Sequence, residues 1–166
     1  PAMREAMARA EVGDEQIGSF STYGVGLQAT VSHGPAGGQL YYTQTGRGYS
    51  TQAPFGTHAS YLSMMISDFN TAGEKVWGLG ANVNFADLGA PGLTAAAIYV
   101  TSSGRIDSGD GSAIPDRNET DVRVDYAFGK GTLLEGLAAT VRYAWLHQDG
   151  SPQTQTQLRA YLNYAF

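Results

Sequence analysis

Three arginines, Arg123, Arg142 and Arg159, lie on the polar sides of segments that alternate between apolar and polar residues. Arginine is always charged, and its planar guanidinium group can hold a carboxylate through two parallel hydrogen bonds. The three side chains could therefore bind and guide a carboxylate-bearing solute. A second interpretation stays open, in which they pair with carboxylates such as Asp121 or Asp125 and only stiffen the sheet.

The sequence gives little support to catalysis or metal binding. His33, His58 and His147 are scattered, and no spacing brings them near a nucleophile and an orienting group. The segment Asp107–Gly111 lacks the spacing of a calcium-binding loop, and cysteine is absent. We therefore expect no enzyme activity, no metal site and no cofactor. The net charge of −5 argues against a nucleic-acid partner.

The arginines belong to a series of predicted strands. In the last ten residues, Gln157–Phe166, Leu158 and Leu162 lie on one side and Arg159 and Asn163 on the other. Most segments have about 9–11 residues, the length that a tilted strand needs to cross the hydrocarbon layer. Their apolar sides are aliphatic in the middle and aromatic toward the ends, as lipid-facing surfaces are. Six more such segments precede the last one: Tyr23–Ser32, Gln39–Arg47, Trp77–Phe85, Leu93–Ser103, Asp121–Phe128 and Leu137–Trp145.

The connections between these strands alternate in length. Long outer loops and short periplasmic turns are typical of outer-membrane barrels. If Phe166 lies on the periplasmic side, the long loops fall outside and the short turns inside. The pattern predicts an antiparallel transmembrane β-barrel. From the C-terminus the connections are Gln148–Gln155, Gly129–Gly136 (short), Gly104–Thr120 (long), Asp87–Gly92 (short), Gly48–Glu74 (very long) and Gly34–Gly38 (short).

Seven strands is an odd number, whereas single-chain bacterial barrels have even counts. An open sheet would leave backbone groups unpaired in lipid. We therefore expect residues 1–166 to be the C-terminal part of a larger barrel, with Pro1–Gly13 a loop or short helical turn in an outer loop. As an alternative, Ser60–Asp68 could be an eighth strand of a small structural or adhesive barrel. A soluble lipocalin-like binding barrel is a third interpretation, disfavoured by the outward apolar sides.

The segment Ile66–Trp77 (ISDFNTAGEKVW), followed by Gly89–Thr94 (GAPGLT), resembles a signature of the OprD family of outer-membrane substrate-specific channels. The resemblance continues through Glu119-Thr120, Val141–Trp145 (VRYAW) and the closing strand. It covers nearly the whole chain and matches the C-terminal two-fifths of such a protein.

This resemblance implies an eighteen-stranded barrel with a narrow eyelet that admits small carboxylate-containing solutes such as amino acids or related nutrients. Residues 48–74 would be an outer loop that folds inward. Arg142 and Arg159 match positions of a basic ladder on the lumen wall, and Arg123 lies one step from the usual pattern. Ser63 and Asp68 match the loop side of the eyelet, where an acidic group can meet the cationic end of a solute.

The resemblance also implies partners and a location. The location is the bacterial outer membrane, and the partners are small solutes, membrane lipid and the barrel-assembly machinery, which would read the C-terminal strand ending at Phe166. The chain departs from the family at several basic positions, so its ladder is thinner. Gly80, Ile98, Thr140 and Asp125 stand where family members can carry a basic residue, and Ile66 where a tyrosine can line the eyelet.

Overall fold

A computed structural model describes residues 6–12, 15–51 and 62–165, with side chains from residue 21 onward. The described chain is almost entirely β-structure. Its elements are β1 (Ala6–Val12), β2 (Glu15–Thr22), β3 (Gly24–His33), β4 (Ala36–Thr45), β5 (Lys75–Asn84), a 3-10 helix (Ala86–Leu88), β6 (Leu93–Ser103), β7 (Arg117–Ala127), β8 (Leu137–Gln148) and β9 (Thr154–Tyr164). No helix in these ranges is long and apolar enough to cross a membrane.

Strands β3 to β9 form one antiparallel sheet in which chain neighbours are also sheet neighbours. The prediction of seven antiparallel strands in this part of the chain is confirmed. Alternation with a period of two places a strand's odd and even positions on opposite faces. The sheet therefore has one apolar face and one polar face, as the sequence pattern indicates.

The apolar face exposes large aliphatic side chains. Leu27, Val31, Leu79, Leu158 and Leu162 each expose between 64% and 74% of their surface. An exposed apolar area spread across a whole sheet exceeds what soluble monomers present. It suits a surface in contact with lipid.

Aromatic side chains of the apolar face lie toward the two ends of the strands. The ring centroids of Tyr42 and Trp77 are 4.8 Å apart. Those of Tyr143 and Trp145 are 5.7 Å apart, and both pairs lie at the strand ends that carry the longest connection. At the opposite strand ends, the Tyr126 ring contacts the ring of Phe128, which follows β7, with 4.9 Å between centroids. Two aromatic belts around an aliphatic band are typical of outer-membrane strands.

The connections lie at the two ends of the strands. One end carries residues 46–74, 104–116 and 149–153, and the other end carries 34–35, 85–92 and 128–136. The expected alternation of long and short holds for the earlier connections. It weakens at the last pair, where 149–153 is shorter than 128–136.

Two expectations about local structure are wrong. Ala6–Val12, expected to be a loop or helical turn, is strand β1 and pairs antiparallel with β2. A single helical turn is marginal in water, whereas strand pairing satisfies the backbone groups of both segments. The part of Ser60–Asp68 that the structure describes is irregular, so an eighth strand there has no support. Its backbone instead bonds to side chains of β7.

Candidate functional site

The three arginines predicted to act on a solute lie side by side on the polar face. Arg123 of β7 is directly opposite Arg142 of β8, and Arg142 is directly opposite Arg159 of β9. Directly opposed residues project to the same face of the sheet, with their Cβ atoms about 5 Å apart. We call this set the arginine row. It concentrates positive charge on three adjacent strands.

A loop packs against the polar face close to the arginine row. Residues 62–74, here called the loop segment, bury Leu62 and Phe69 against Val76, Val100 and Leu146 of the sheet. Gly78 lets the loop segment approach closely. A Cβ atom at residue 78 would lie 2.9 Å from Cδ2 of Leu62. The small apolar core of the described chain is therefore the interface between this loop and the sheet.

Two carboxylates of β7 accept hydrogen bonds from the backbone of the loop segment. Glu119 Oε1 accepts from the Ile66 amide at 2.7 Å, and Glu119 Oε2 accepts from the Ser67 amide at 3.0 Å. Asp121 Oδ2 accepts from the Met65 amide at 3.0 Å. Bonds from backbone amides to ionised carboxylates are stronger than those between neutral groups. Three consecutive amides are thereby held on one strand.

A buried ion pair holds the end of the loop segment. Glu74 is fully buried, and Arg117 of β7 reaches it through two hydrogen bonds of 3.1 Å, from Nε to Oε1 and from Nη2 to Oε2. Arg117 also donates to Ser67 Oγ. Arg105 Nε lies 3.6 Å from Glu74 Oε1. Burial, and next the charge of Arg117, lower the pKa of the Arg105 guanidinium, while Glu74 opposes the change. We call Arg117, Glu119 and Asp121 the loop anchor.

Phe69 has a strained backbone within the loop segment. Its φ angle is +48°, and it is the only non-glycine residue of the described chain with a positive φ. Such a conformation costs on the order of 1–3 kcal/mol and persists where the surroundings determine it. The guanidinium carbon of Arg117 lies 4.6 Å from the centroid of the Phe69 ring. Burial of the ring and this cation–π contact offset the strain.

Two members of the arginine row reach toward the loop segment. Arg159 Nη2 donates to the Met65 carbonyl at 2.8 Å and to Gln157 Oε1 at 2.7 Å. Arg142 Nη2 lies 3.8 Å from Asp121 Oδ2, and the Arg142 side chain is 33% exposed. Its Nε is buried and has no hydrogen-bond partner among the described residues. Both guanidinium groups therefore face the space between sheet and loop.

The third member, Arg123, forms a tight ion pair with Asp125 on its own strand. The distances are 2.7 Å from Nε to Oδ2 and 2.8 Å from Nη2 to Oδ1. Thr140 Oγ1 donates to Asp125 Oδ1 at 2.5 Å. Arg123 is 54% exposed on its side chain, so the pair faces open space.

Ser63 and Asp68 lie on the loop segment and contact each other. Ser63 Oγ donates to Asp68 Oδ1 at 2.7 Å. The residues between them carry the contacts to Asp121 and Arg159. The fold thus brings the loop residues and the arginine row to the same region, although the two sets are far apart in sequence. No group of three His, Asp or Glu side chains in the described part of the chain is placed to hold a metal ion.

Sequence reasoning missed Arg117, Glu119 and Glu74 as residues that hold the loop, and it named Asp121 only as a possible partner of the arginines. Glu74 is buried and pairs with Arg117, which lies 43 positions away. One signal could have pointed to the anchor. Charged residues occupy every second position of this strand, at Arg117, Glu119 and Asp121, and therefore lie on one face.

Known proteins support a common fold. The chain is similar to the crystal structure of OprD from Pseudomonas aeruginosa, at 23% identity and a TM-score of 0.78, covering 89% of this chain and 42% of that one. It is similar to OpdK from Pseudomonas aeruginosa with vanillate, at 20% identity and a TM-score of 0.79, covering 96% and 47%. A third match, OpdO from Pseudomonas aeruginosa, has 21% identity and a TM-score of 0.78, covering 98% and 43%. The chain thus spans less than half the length of these structures.

No protein with a curated description matches the chain. The family described as "outer membrane porin, OprD family" matches residues 3–166. That match extends over nearly all of the sequence, and the two-faced antiparallel sheet agrees with it. The chain belongs to the OprD family of outer-membrane porins.

Proposed function

We propose that this chain lines part of a channel for passive uptake of small carboxylate-containing solutes, such as amino acids or related nutrients. The observation that carries the proposal is the arginine row, two of whose members, Arg142 and Arg159, face the loop segment. The chain belongs to a family of bacterial outer-membrane porins. A channel of this kind moves solutes by diffusion and needs no covalent chemistry. The seven strands of the main sheet, β3 to β9, would form the C-terminal part of an eighteen-stranded barrel, with the polar face toward the lumen.

Residues 48–74 would act as the inward-folding outer loop that narrows the lumen. The described part, residues 62–74, supports this because it packs on the polar face and is held there by the loop anchor. A loop held by buried hydrogen bonds gives a constriction of constant width. A solute that fits the constriction must pass close to the arginine row.

Arg142 and Arg159 would bind the solute carboxylate in turn. Arg159 donates to two neutral oxygen atoms, the Met65 carbonyl and Gln157 Oε1, and a carboxylate is a stronger acceptor than either. Arg142 is 3.8 Å from its nearest carboxylate oxygen, too long for a hydrogen bond. Two adjacent sites of moderate strength let a solute enter and leave without being trapped.

Ser63 and Asp68 would complete the constriction from the loop side. Their mutual hydrogen bond fixes the position of the Asp68 carboxylate on the loop segment. An amino acid carries a cationic group as well as a carboxylate. In the proposed pathway the cationic group is attracted by Asp68 while the carboxylate contacts Arg142 or Arg159.

One structural relative supports the class of solute. The structure of OpdK was determined with vanillate, which is an aromatic carboxylate. At 20% identity that protein shares the fold with this chain, and its ligand carries the carboxylate group that we propose for the solute. We also propose that the barrel-assembly machinery recognises β9 and the residues that follow it up to Phe166, which lies outside the described ranges.

The test is single-channel conductance of the complete barrel in planar bilayers, with benzoate, glutamate, arginine or glucose added in turn. We expect blockade by benzoate and glutamate, and weaker blockade, by about ten-fold in affinity, in Arg142→Gln and Arg159→Gln. Arg47→Gln is the matched control because Arg47 is exposed beyond the end of β4. Carboxylate blockade with the same affinity in both variants as in the wild type would overturn the proposal. A protein that inserts without forming channels would favour a structural or adhesive role.

A further inference from the structure

Arg123 and Asp125 form a local ion pair within the arginine row. Residues two apart on a strand project to the same face, so the two side chains can meet without any change in the sheet. Both donor atoms on one edge of the Arg123 guanidinium are bonded to Asp125, at 2.7 and 2.8 Å. Thr140, directly opposite Asp125 on β8, donates to the same carboxylate. The carboxylate is thereby held by two strands.

This pair changes what the arginine row can offer a solute. A solute carboxylate could use the Nε–Nη2 edge of Arg123 only by displacing Asp125, and the charge of Asp125 repels a carboxylate that approaches the rest of the guanidinium. Arg142 lies 3.8 Å from Asp121, and that oxygen also accepts the Met65 amide. Arg159 donates to two neutral oxygens. Of the three arginines, Arg123 is therefore the one whose Nε–Nη2 edge and charge are both matched by a carboxylate.

We infer that Asp125 is a specificity-determining residue, an internal counter-ion that removes Arg123 from solute binding. Resting on the proposed function, this inference narrows the substrate class to solutes that present one carboxylate to the channel wall. Arg142 and Arg159 suffice for one carboxylate. A second carboxylate would need Arg123. Asp125 occupies the Nε–Nη2 edge of Arg123 and repels another negative charge there.

The test compares blockade by benzoate, with one carboxylate, and phthalate, with two. The proteins are the wild-type barrel, Asp125→Asn and the double variant Arg123→Gln/Asp125→Asn. Asparagine keeps the shape of Asp125 and the oxygen that accepts from Thr140, and it removes the charge. We expect Asp125→Asn to tighten phthalate binding about five-fold, with a smaller effect on benzoate. The double variant should return phthalate binding to within about two-fold of wild type, because it removes the pair as a unit.

Asp87→Asn is the matched control, since it removes one negative charge from an exposed turn on the 3-10 helix. It should leave phthalate binding unchanged. Reversal potentials in a salt gradient give a second measurement, in which Asp125→Asn should shift the channel toward anions more than Asp87→Asn does.

The outcomes separate this inference from the proposed function. If benzoate blocks the wild type but Asp125→Asn changes neither phthalate binding nor selectivity, Asp125 has no role in specificity while the channel function stands. If the double variant binds phthalate weaker than wild type by clearly more than that two-fold margin, Arg123 already contributes, and the inference is wrong. If the wild-type barrel forms no channel, both proposals fall.

Discussion

The arginine row and the loop anchor use the same chemistry on one face of the sheet but differ in burial. In the anchor, Glu119 is fully buried and its oxygens accept backbone amides, and the partner of Arg117, Glu74, is fully buried as well. In the row, Arg123 is 54% and Arg142 33% exposed on the side chain. Buried charges must be paired to be tolerated, whereas exposed charges can exchange partners. Burial thus separates the charges that hold the loop segment from the charges that stay exposed on the sheet.

The largest expected effect comes from breaking the buried pair. Glu74→Ala leaves Arg117 and Arg105 buried without their carboxylate, which should destabilise the packing of the loop segment by about 3–5 kcal/mol. We expect larger and noisier single-channel currents. Lys75→Ala is the control, because Lys75 is the adjacent exposed charge. Steady wild-type currents in Glu74→Ala would mean that this ion pair does not hold the loop.

A smaller effect is expected from altering one anchor carboxylate. In Glu119→Gln, one oxygen that now accepts an amide becomes an NH₂ group facing the Ile66 or Ser67 N–H. An unsatisfied buried donor costs about 1–3 kcal/mol. A single cysteine at Ser63, in a chain without cysteine, should then react faster with a soluble thiol reagent.

Glu135→Gln provides the comparison for that variant. Glu135 also accepts a backbone amide, from Gly131 at 2.8 Å, but it is exposed in the turn between β7 and β8. The thiol reaction rate at residue 63 should not change in Glu135→Gln. Equal rates in the two glutamine variants would contradict the role of burial.

The smallest effect tests packing without charge. Gly78→Ala places a methyl group 2.9 Å from Cδ2 of Leu62, so the loop segment must shift by a fraction of an ångström. Overpacking of this kind costs about 1–2 kcal/mol. We expect a small, uniform change in conductance with normal carboxylate selectivity. Gly24→Ala, where the nearest atom is Thr51 Cγ2 at 3.9 Å, should behave as wild type. A change in selectivity in Gly78→Ala would show that loop position also tunes the row.

Much of the fold could be predicted from residue alternation. The bounds of β6 match the predicted segment Leu93–Ser103, and β9 falls within Gln157–Phe166 except for three added residues at its start. β1 could not be predicted this way, because its seven residues alternate weakly and its conformation depends on pairing with β2. The faces of Arg123, Arg142 and Arg159 also followed from alternation alone.

The candidate site could be predicted only in part. Alternation assigns each arginine a face but no register, so it cannot say that the three stand in one row. The contacts of the loop segment with β7 join residues that are 43 or more positions apart, and Ile66 and Glu119 are 53 apart. No local pattern encodes such a pairing. The assignment of Ser63 and Asp68 to the constriction came from family resemblance and stays a prediction.

By itself the sequence determined strands β3 to β9 and their two faces, because strand periodicity and lipid-facing side chains are local properties. Its short motifs indicated the family. Only the tertiary structure decided which charges are buried and which are available. Arg117 and Arg123 lie on the same face of the same strand, six positions apart. The first is covered by the loop segment and pairs with Glu74, and the second is open and pairs with Asp125. Burial depends on what packs above a residue, which strand alternation does not contain.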